Sequence, residues 1–151
     1  MWKSVIHGGA LKQFVSNSLD ETRKIAQQIL QEEVKNGDLI LLKGEMGAGK
    51  TSFIQGFGEA LQSRANVLSP TFSKVHVYPG QWTLIHLDLY NVKSFEELED
   101  LGIYDYIEPE DGICVVEWWE LYPQLFGGRA HHVEITNQGS QRLIQYSLKE
   151  N

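Results

Sequence analysis

Eight consecutive residues carry the most chemistry in the chain: Gly44–Glu45–Met46–Gly47–Ala48–Gly49–Lys50–Thr51, followed by Ser52. Gly44, Gly47 and Gly49 let the backbone curl so that successive amides point inward, the arrangement that cradles phosphate oxygens. Lys50 places a point charge between terminal phosphates, and the Thr51 hydroxyl suits magnesium. Two acids can complete such a site. Asp88 ends the apolar run 82–87 and Glu117 ends the run 113–116. Strand ends of a parallel sheet lie on the same edge as a phosphate loop, where carboxylates can reach the metal. The chemistry implied is binding and hydrolysis of ATP or GTP with Mg2+. Lys50, Asp88 and Glu117 are the catalytic candidates and Thr51 and Glu117 the metal ligands. Asp88 orients the metal or the attacking water, and the sequence leaves open which acid positions that water.

The elements that hold these residues are readable from periodicity. Ser18–Leu19–Asp20–Glu21 is a capping box in which the Ser oxygen and the Glu carboxylate each satisfy an orphan amide. Thr22, Ile25, Ala26, Ile29, Leu30 and Val34 then recur on one helical face until Asn36–Gly37 stops it, which predicts a helix over about 19–35. Residues 38–43 form a short apolar run of the kind buried on both faces of a parallel sheet. Phe53, Ile54, Phe57, Ala60 and Leu61 mark a second amphipathic helix. Gly56 and Gly58 inside it cost about 1 kcal/mol each relative to Ala, and close packing against the sheet is the expected compensation. Residues 95–101 read as a short helix. Residues 131–136 and 142–148 alternate with period two around Asn137–Gln138–Gly139–Ser140, which predicts an antiparallel hairpin. The fold expected is α/β, a P-loop NTPase-like three-layer sandwich with a mainly parallel central sheet and a C-terminal antiparallel hairpin. With no repeat, low-complexity tract or linker, residues 1–151 read as one domain.

Composition narrows the function classes. A chain of 151 residues that is 42% hydrophobic can bury a core. No apolar run approaches the roughly 20 residues of a membrane helix, and the first residues lack the apolar stretch of a signal peptide. No membrane association and a cytoplasmic location are therefore expected. Cys114, the one cysteine, excludes an internal disulfide and reads as a small buried hydrophobe. The net charge is −7, and no Lys or Arg falls between Ser94 and Gly128, while ten carboxylates lie between Glu96 and Glu120. Such a surface repels phosphate backbones, which argues against direct nucleic-acid binding. It reads either as a solvated acidic face or as a docking face for a basic partner. His76, His86, His131 and His132 lack metal-ligand spacing and are expected to be ordinary surface or half-buried residues.

Taken with the phosphate loop, Ser69–Pro70–Thr71–Phe72, His86–Leu87–Asp88–Leu89–Tyr90 and Val116–Glu117–Trp118 resemble the TsaE family in order and spacing, over nearly the whole chain. The resemblance implies an ATPase of the bacterial machinery that makes threonylcarbamoyl-adenosine in tRNA. It implies TsaD and TsaB as protein partners, ATP and ADP as ligands, and contact with tRNA only through the complex. By motif, residues Glu45 to Ser52 hold the nucleotide, with Asp88 at its phosphate end. Thr51 and Glu117 hold magnesium, and Ser69–Pro70–Thr71 form a switch-like loop near the γ-phosphate. Trp118 sits beside the metal-binding acid, and the Gly139 turn approaches the adenine. Two positions depart from the family pattern: Asn91 where the family often has Arg, and Trp119 where it commonly has Pro or a small residue.

Three other readings compete. A small metabolite kinase shares the loop, but the stretch without Lys or Arg from Ser94 to Gly128 argues against a phosphoryl-clamping lid there. A small GTPase would need Asn-Lys-x-Asp and Asp-x-x-Gly, and neither string occurs. A binding module without hydrolysis would use the loop but not the acids.

Overall fold

A computed structural model of the chain describes residues 2–6, 10–64 and 74–150. Strand β1 (Trp2–Ile6) pairs with β2 (Ala10–Ser16), which leads into helix α1 (Leu19–Glu33). The cap of α1 forms largely as its residues dictate: Ser18 Oγ accepts the Glu21 amide at 3.0 Å. Glu21, however, accepts the amide of Asn17 rather than that of Ser18, at 3.0 Å. Then follow β3 (Leu39–Gly44), α2 (Lys50–Ala60), β4 (Val75–Tyr78), β5 (Leu84–Asp88), α3 (Phe95–Asp100), α4 (Ile103–Ile107) and β6 (Ile113–Glu117). Two short 3-10 turns (Trp119–Leu121, Pro123–Leu125) precede the hairpin β7 (Ala130–Gln138) and β8 (Gln141–Lys149).

The described strands form one sheet in the order β1-β2-β8-β7-β3-β6-β5-β4. The four strands β7, β3, β6 and β5 run parallel, and the remaining pairings on both flanks are antiparallel. The parallel centre is as expected. The C-terminal hairpin is more integral than expected, because β7 pairs directly with β3. The N-terminal hairpin and β4 had no sequence signal distinctive enough to place them.

Strand parity builds the three layers. Ile40, Leu42, Leu84, Ile113 and Val115 face α1 and α2, against Ile25, Ile29, Phe53 and Phe57. The alternate residues Leu41, Ile85, Leu87, Cys114 and Val116 face α3 and α4, against Leu98, Ile103 and Ile107. Cys114 is fully buried and burial raises its thiol pKa, so it behaves as a core residue. Gly56 corrects one expectation. Its closest approach is to α1, not to the sheet: a Cβ there would stand 2.4 Å from Arg23 O and 2.9 Å from Ala26 Cβ.

At the sheet edge away from the glycine loop, a buried polar network ties β7 and β8 to the start of β3. His131, with no exposed surface, donates from Nε2 to Asp38 Oδ2 at 2.6 Å and pairs through Nδ1 with the Tyr146 hydroxyl at 2.7 Å. Arg129 and the Lys35 amide also donate to Asp38, at 2.8 Å and 3.0 Å. Burial opposes ionisation of Asp38, but these donors outweigh it and hold its carboxyl below the ordinary value. Because the folded value is depressed, the network stabilises the fold above the unfolded carboxylate pKa of about 3.9 and is lost as pH falls through the lower folded value. Asp38→Asn is expected to cost about 1–3 kcal/mol at pH 7 and to flatten the fall of stability below pH 4. Urea unfolding across that range measures both effects.

Candidate functional site: a glycine loop with two strand-end acids

The loop between β3 and α2 has the geometry its glycines allow. Gly47 and Gly49 take φ of +80° and +107°, a left-handed conformation closed to most side chains. Gly44 does something different. It ends β3 opposite Ile135, and a Cβ there would lie 2.9 Å from Ile135 O. Gly49 is the N-cap of α2, which has no side-chain cap and no acid in its first turn. Such a helix start favours an anion. From the hairpin, Arg142 donates through Nε to Ala48 O at 2.9 Å and braces the loop from behind.

Parity and register then deliver the acids. Asp88 and Glu117 are partners in the β5–β6 register, and both continue the series of residues that faces α2. Glu117 is 6% exposed and its Oε1 lies 3.6 Å from Lys50 Nζ. Its other oxygen, Oε2, lies 2.5 Å from His86 Nε2. Burial, with the nearby charge of Glu117, raises the Asp88 carboxyl pKa against the opposing Tyr90 amide, which donates to Oδ1 at 3.0 Å, and against His86 and Lys50.

Trp118 takes φ +60°, unusual for so bulky a residue. Its ring lies 4.4 Å from Lys50 Nζ and 4.8 Å from the Tyr90 ring. Lys50 is thus held by an anion and an aromatic face at once.

These residues line one cleft of about 550 Å³, which Met46, Gly47, Gly49, Thr51, Ser52, Asn91 and Arg142 help to enclose. That volume lies within the roughly 300–1,000 Å³ of small-molecule sites. Lys50, Thr51, Asp88, Glu117 and Trp118 line this cleft together. Glu45 instead borders a neighbouring hollow with Glu120 and Thr136, and Ala48 is buried beneath the loop. Gly139 stands at the hairpin tip, and Arg142 is the hairpin residue in the cleft wall. Ser69, Pro70 and Thr71 lie outside the described residues.

The histidines require a correction. His86 and His131 are completely buried and hydrogen-bonded to carboxylates. The apolar runs around them were the available signal, since a histidine on a core-facing parity position must find a polar partner.

The donor set fits magnesium. Thr51, Asp88 and Glu117 offer hard oxygen atoms in the cleft. Among the described residues no group of three or more His, Cys, Asp or Glu side chains is placed to hold a metal. A magnesium ion here would draw the rest of its shell from nucleotide phosphates and water, its usual arrangement.

Comparison with known proteins agrees with this architecture. The family described as threonylcarbamoyl adenosine biosynthesis protein TsaE matches residues 16–144. The chain belongs to the TsaE family. The TsaE protein of Bacillus subtilis is 41% identical over 134 residues, covering 87% of this chain and 82% of its own. That of Synechocystis is 42% identical over 117 residues, 75% of this chain and 73% of its own. The crystal structure of Bacillus subtilis YdiB superposes with a TM-score of 0.75 at 27% identity, covering 95% of this chain and 88% of that one. Within this TsaE chain the two departures now have locations. Asn91 lines the cleft, where Arg142 brings a guanidinium from the other side. Trp119 packs edge-on against His132 at 5.3 Å, so its bulk is absorbed beside the second core. Among the described residues no helix is long and apolar enough to cross a membrane.

Proposed function

We propose that this chain binds ATP with magnesium in the cleft and hydrolyses it slowly, as the switch subunit of the tRNA threonylcarbamoyl-adenosine machinery. It acts on the synthase subunits TsaD and TsaB and meets tRNA only through that complex. The observation that carries the enzymatic part is the buried Lys50–Glu117 pair at 3.6 Å, at the mouth of a glycine loop, with Asp88 in register beside it. A binding module would need the loop and Lys50. It would not need a carboxylate buried against that cation, with a second at the neighbouring strand end.

In this reading the loop amides and the start of α2 hold the phosphates, and Lys50 exchanges Glu117 for the terminal phosphate oxygens. Glu117 and Thr51 hold the metal, which when bound neutralises charge on the β- and γ-phosphates. Asp88 stands at the phosphate end to orient the metal or the attacking water. Trp118 screens the lysine from solvent. The switch role draws support from the α3–α4 layer, where seven carboxylates from Glu96 to Asp111 are exposed together with Leu101 and Tyr104. That surface suits a basic protein partner.

Phosphate release from purified protein, with and without TsaD and TsaB, tests the proposal. A slow basal rate that changes when the partners are added is expected. Failure to bind either subunit with ATP present overturns the switch role, and no hydrolysis above background in any mixture overturns the enzymatic one.

A further inference from the structure

His86 fills a position that packing alone would give to a hydrophobe. It lies in β5 between Leu84 and Asp88, on the face covered by α2, opposite Val115 of β6, with no exposed surface. A buried imidazole is costly unless its polar atoms are satisfied. Among the described residues only one is: Nε2 lies 2.5 Å from Glu117 Oε2, while Nδ1 is buried with no partner among them. As a core residue, His86 is a poor choice. As a support for Glu117 it is well placed.

We propose that His86 is a positioning residue: through Nε2–H it anchors one oxygen of Glu117 so that the other faces the cleft. The two oxygens are already divided in this way, Oε2 to His86 and Oε1 toward Lys50. An ionised carboxylate only accepts, so Nε2 donates. This fixes the carboxylate plane before nucleotide or metal arrives. Glu117 needs such help because a glutamate has three side-chain torsions, and its other neighbour, Lys50, must leave it to reach phosphate. An anchor that stays behind the carboxylate preserves its orientation through that exchange, as outer-shell partners do for metal-binding carboxylates. The inference rests on assigning Glu117 to the magnesium shell.

Calorimetric titration with a non-hydrolysable ATP analogue, in Mg2+ and in EDTA, tests it with three variants. For His86→Leu, which keeps the apolar volume, the ratio of affinity in Mg2+ to affinity in EDTA is expected to fall roughly 10–100-fold. His86→Gln carries an amide nitrogen near the place of Nε2 and is expected to recover most of that ratio. A wild-type ratio in His86→Leu overturns the inference. So does a ratio in His86→Gln as low as in His86→Leu, since position 86 would then act through packing. Glu117→Ala separates the two levels of argument. If it retains the wild-type ratio, the assignment of Glu117 fails and this inference with it. If it loses the ratio while His86→Leu does not, only the inference fails. Nitrogen-15 NMR of the histidine-labelled wild-type protein removes any dependence on variant folding: a proton on Nε2 of His86 is expected, and an unprotonated Nε2 overturns the proposal.

Discussion

Lys50→Ala is expected to lower ATP turnover by about 10²–10³-fold, the usual cost of removing one preorganised charge-stabilising group. Phosphate release at saturating Mg-ATP measures it. The expectation follows from how few alternatives the cleft offers. Lys50 is 7% exposed, 3.6 Å from Glu117 Oε1 and 4.4 Å from the Trp118 ring centre. Its removal leaves Asp88 and Glu117 side by side without the cation between loop and sheet. Lys50 is also among the groups that hold the Asp88 carboxyl down against burial and the charge of Glu117. Without it, the Asp88 carboxyl pKa shifts further upward. Arg142 is the other cation in the cleft wall, but its Nε is committed to Ala48 O. Lys50→Arg is not expected to restore activity, because a planar guanidinium fork does not place a compact point charge between terminal phosphates. Turnover close to wild type in Lys50→Ala would remove the catalytic role from the loop lysine.

Gly56→Ala is expected to destabilise the fold by about 1–3 kcal/mol, the range for overpacking a tight contact. Helix propensity alone predicts the opposite sign, a gain of about 1 kcal/mol. The close approach decides between them. A Cβ at 56 would meet the Arg23 carbonyl oxygen at 2.4 Å, and backbone cannot rotate aside as a side chain can. The two helices must separate, and α2 carries Lys50 and Thr51 at its start. The substitution should therefore weaken nucleotide binding as well as stability. Urea unfolding with and without nucleotide reads both, and a more stable Gly56→Ala protein would show that propensity wins.

Local chemistry was the legible part of this chain. The loop glycines, Lys50 and the acids at 88 and 117 announce themselves because each ends or begins a periodic segment, and the position of a strand-end acid follows from sheet direction. The parallel centre followed from the apolar runs for the same reason. Long-range pairings were not legible. Residues 10–16 do not announce that their partner is β8, because the matching residue for Leu11 is Ser147. The β7–β3 pairing was hidden for a related reason, since an alternating hairpin looks the same whether its outer edge is open or joined to a parallel strand. His86 and His131 were misjudged because one histidine in an apolar run has the same pattern whether it meets water or a buried carboxylate. Gly56 was recognised as a contact point, but its partner, α1 rather than the sheet, depends on the helix rotation that packing selects.

The pairing of β2 with β8 also bears on the order in which the molecule can assemble on a ribosome. Helices α1 and α2 and strands β3, β5 and β6 emerge early and can associate as they appear. Strand β2, although made before all of them, has among the described strands only β1 as a pairing partner until residues 141–149 have been synthesised. The same late segment carries Arg142, which braces Ala48 in the glycine loop. Sheet closure and bracing of that loop thus arrive together, so a nascent chain that has made its glycine loop still lacks the support that loop has in the finished protein. Contacts between residues this distant in sequence are the slow ones to form.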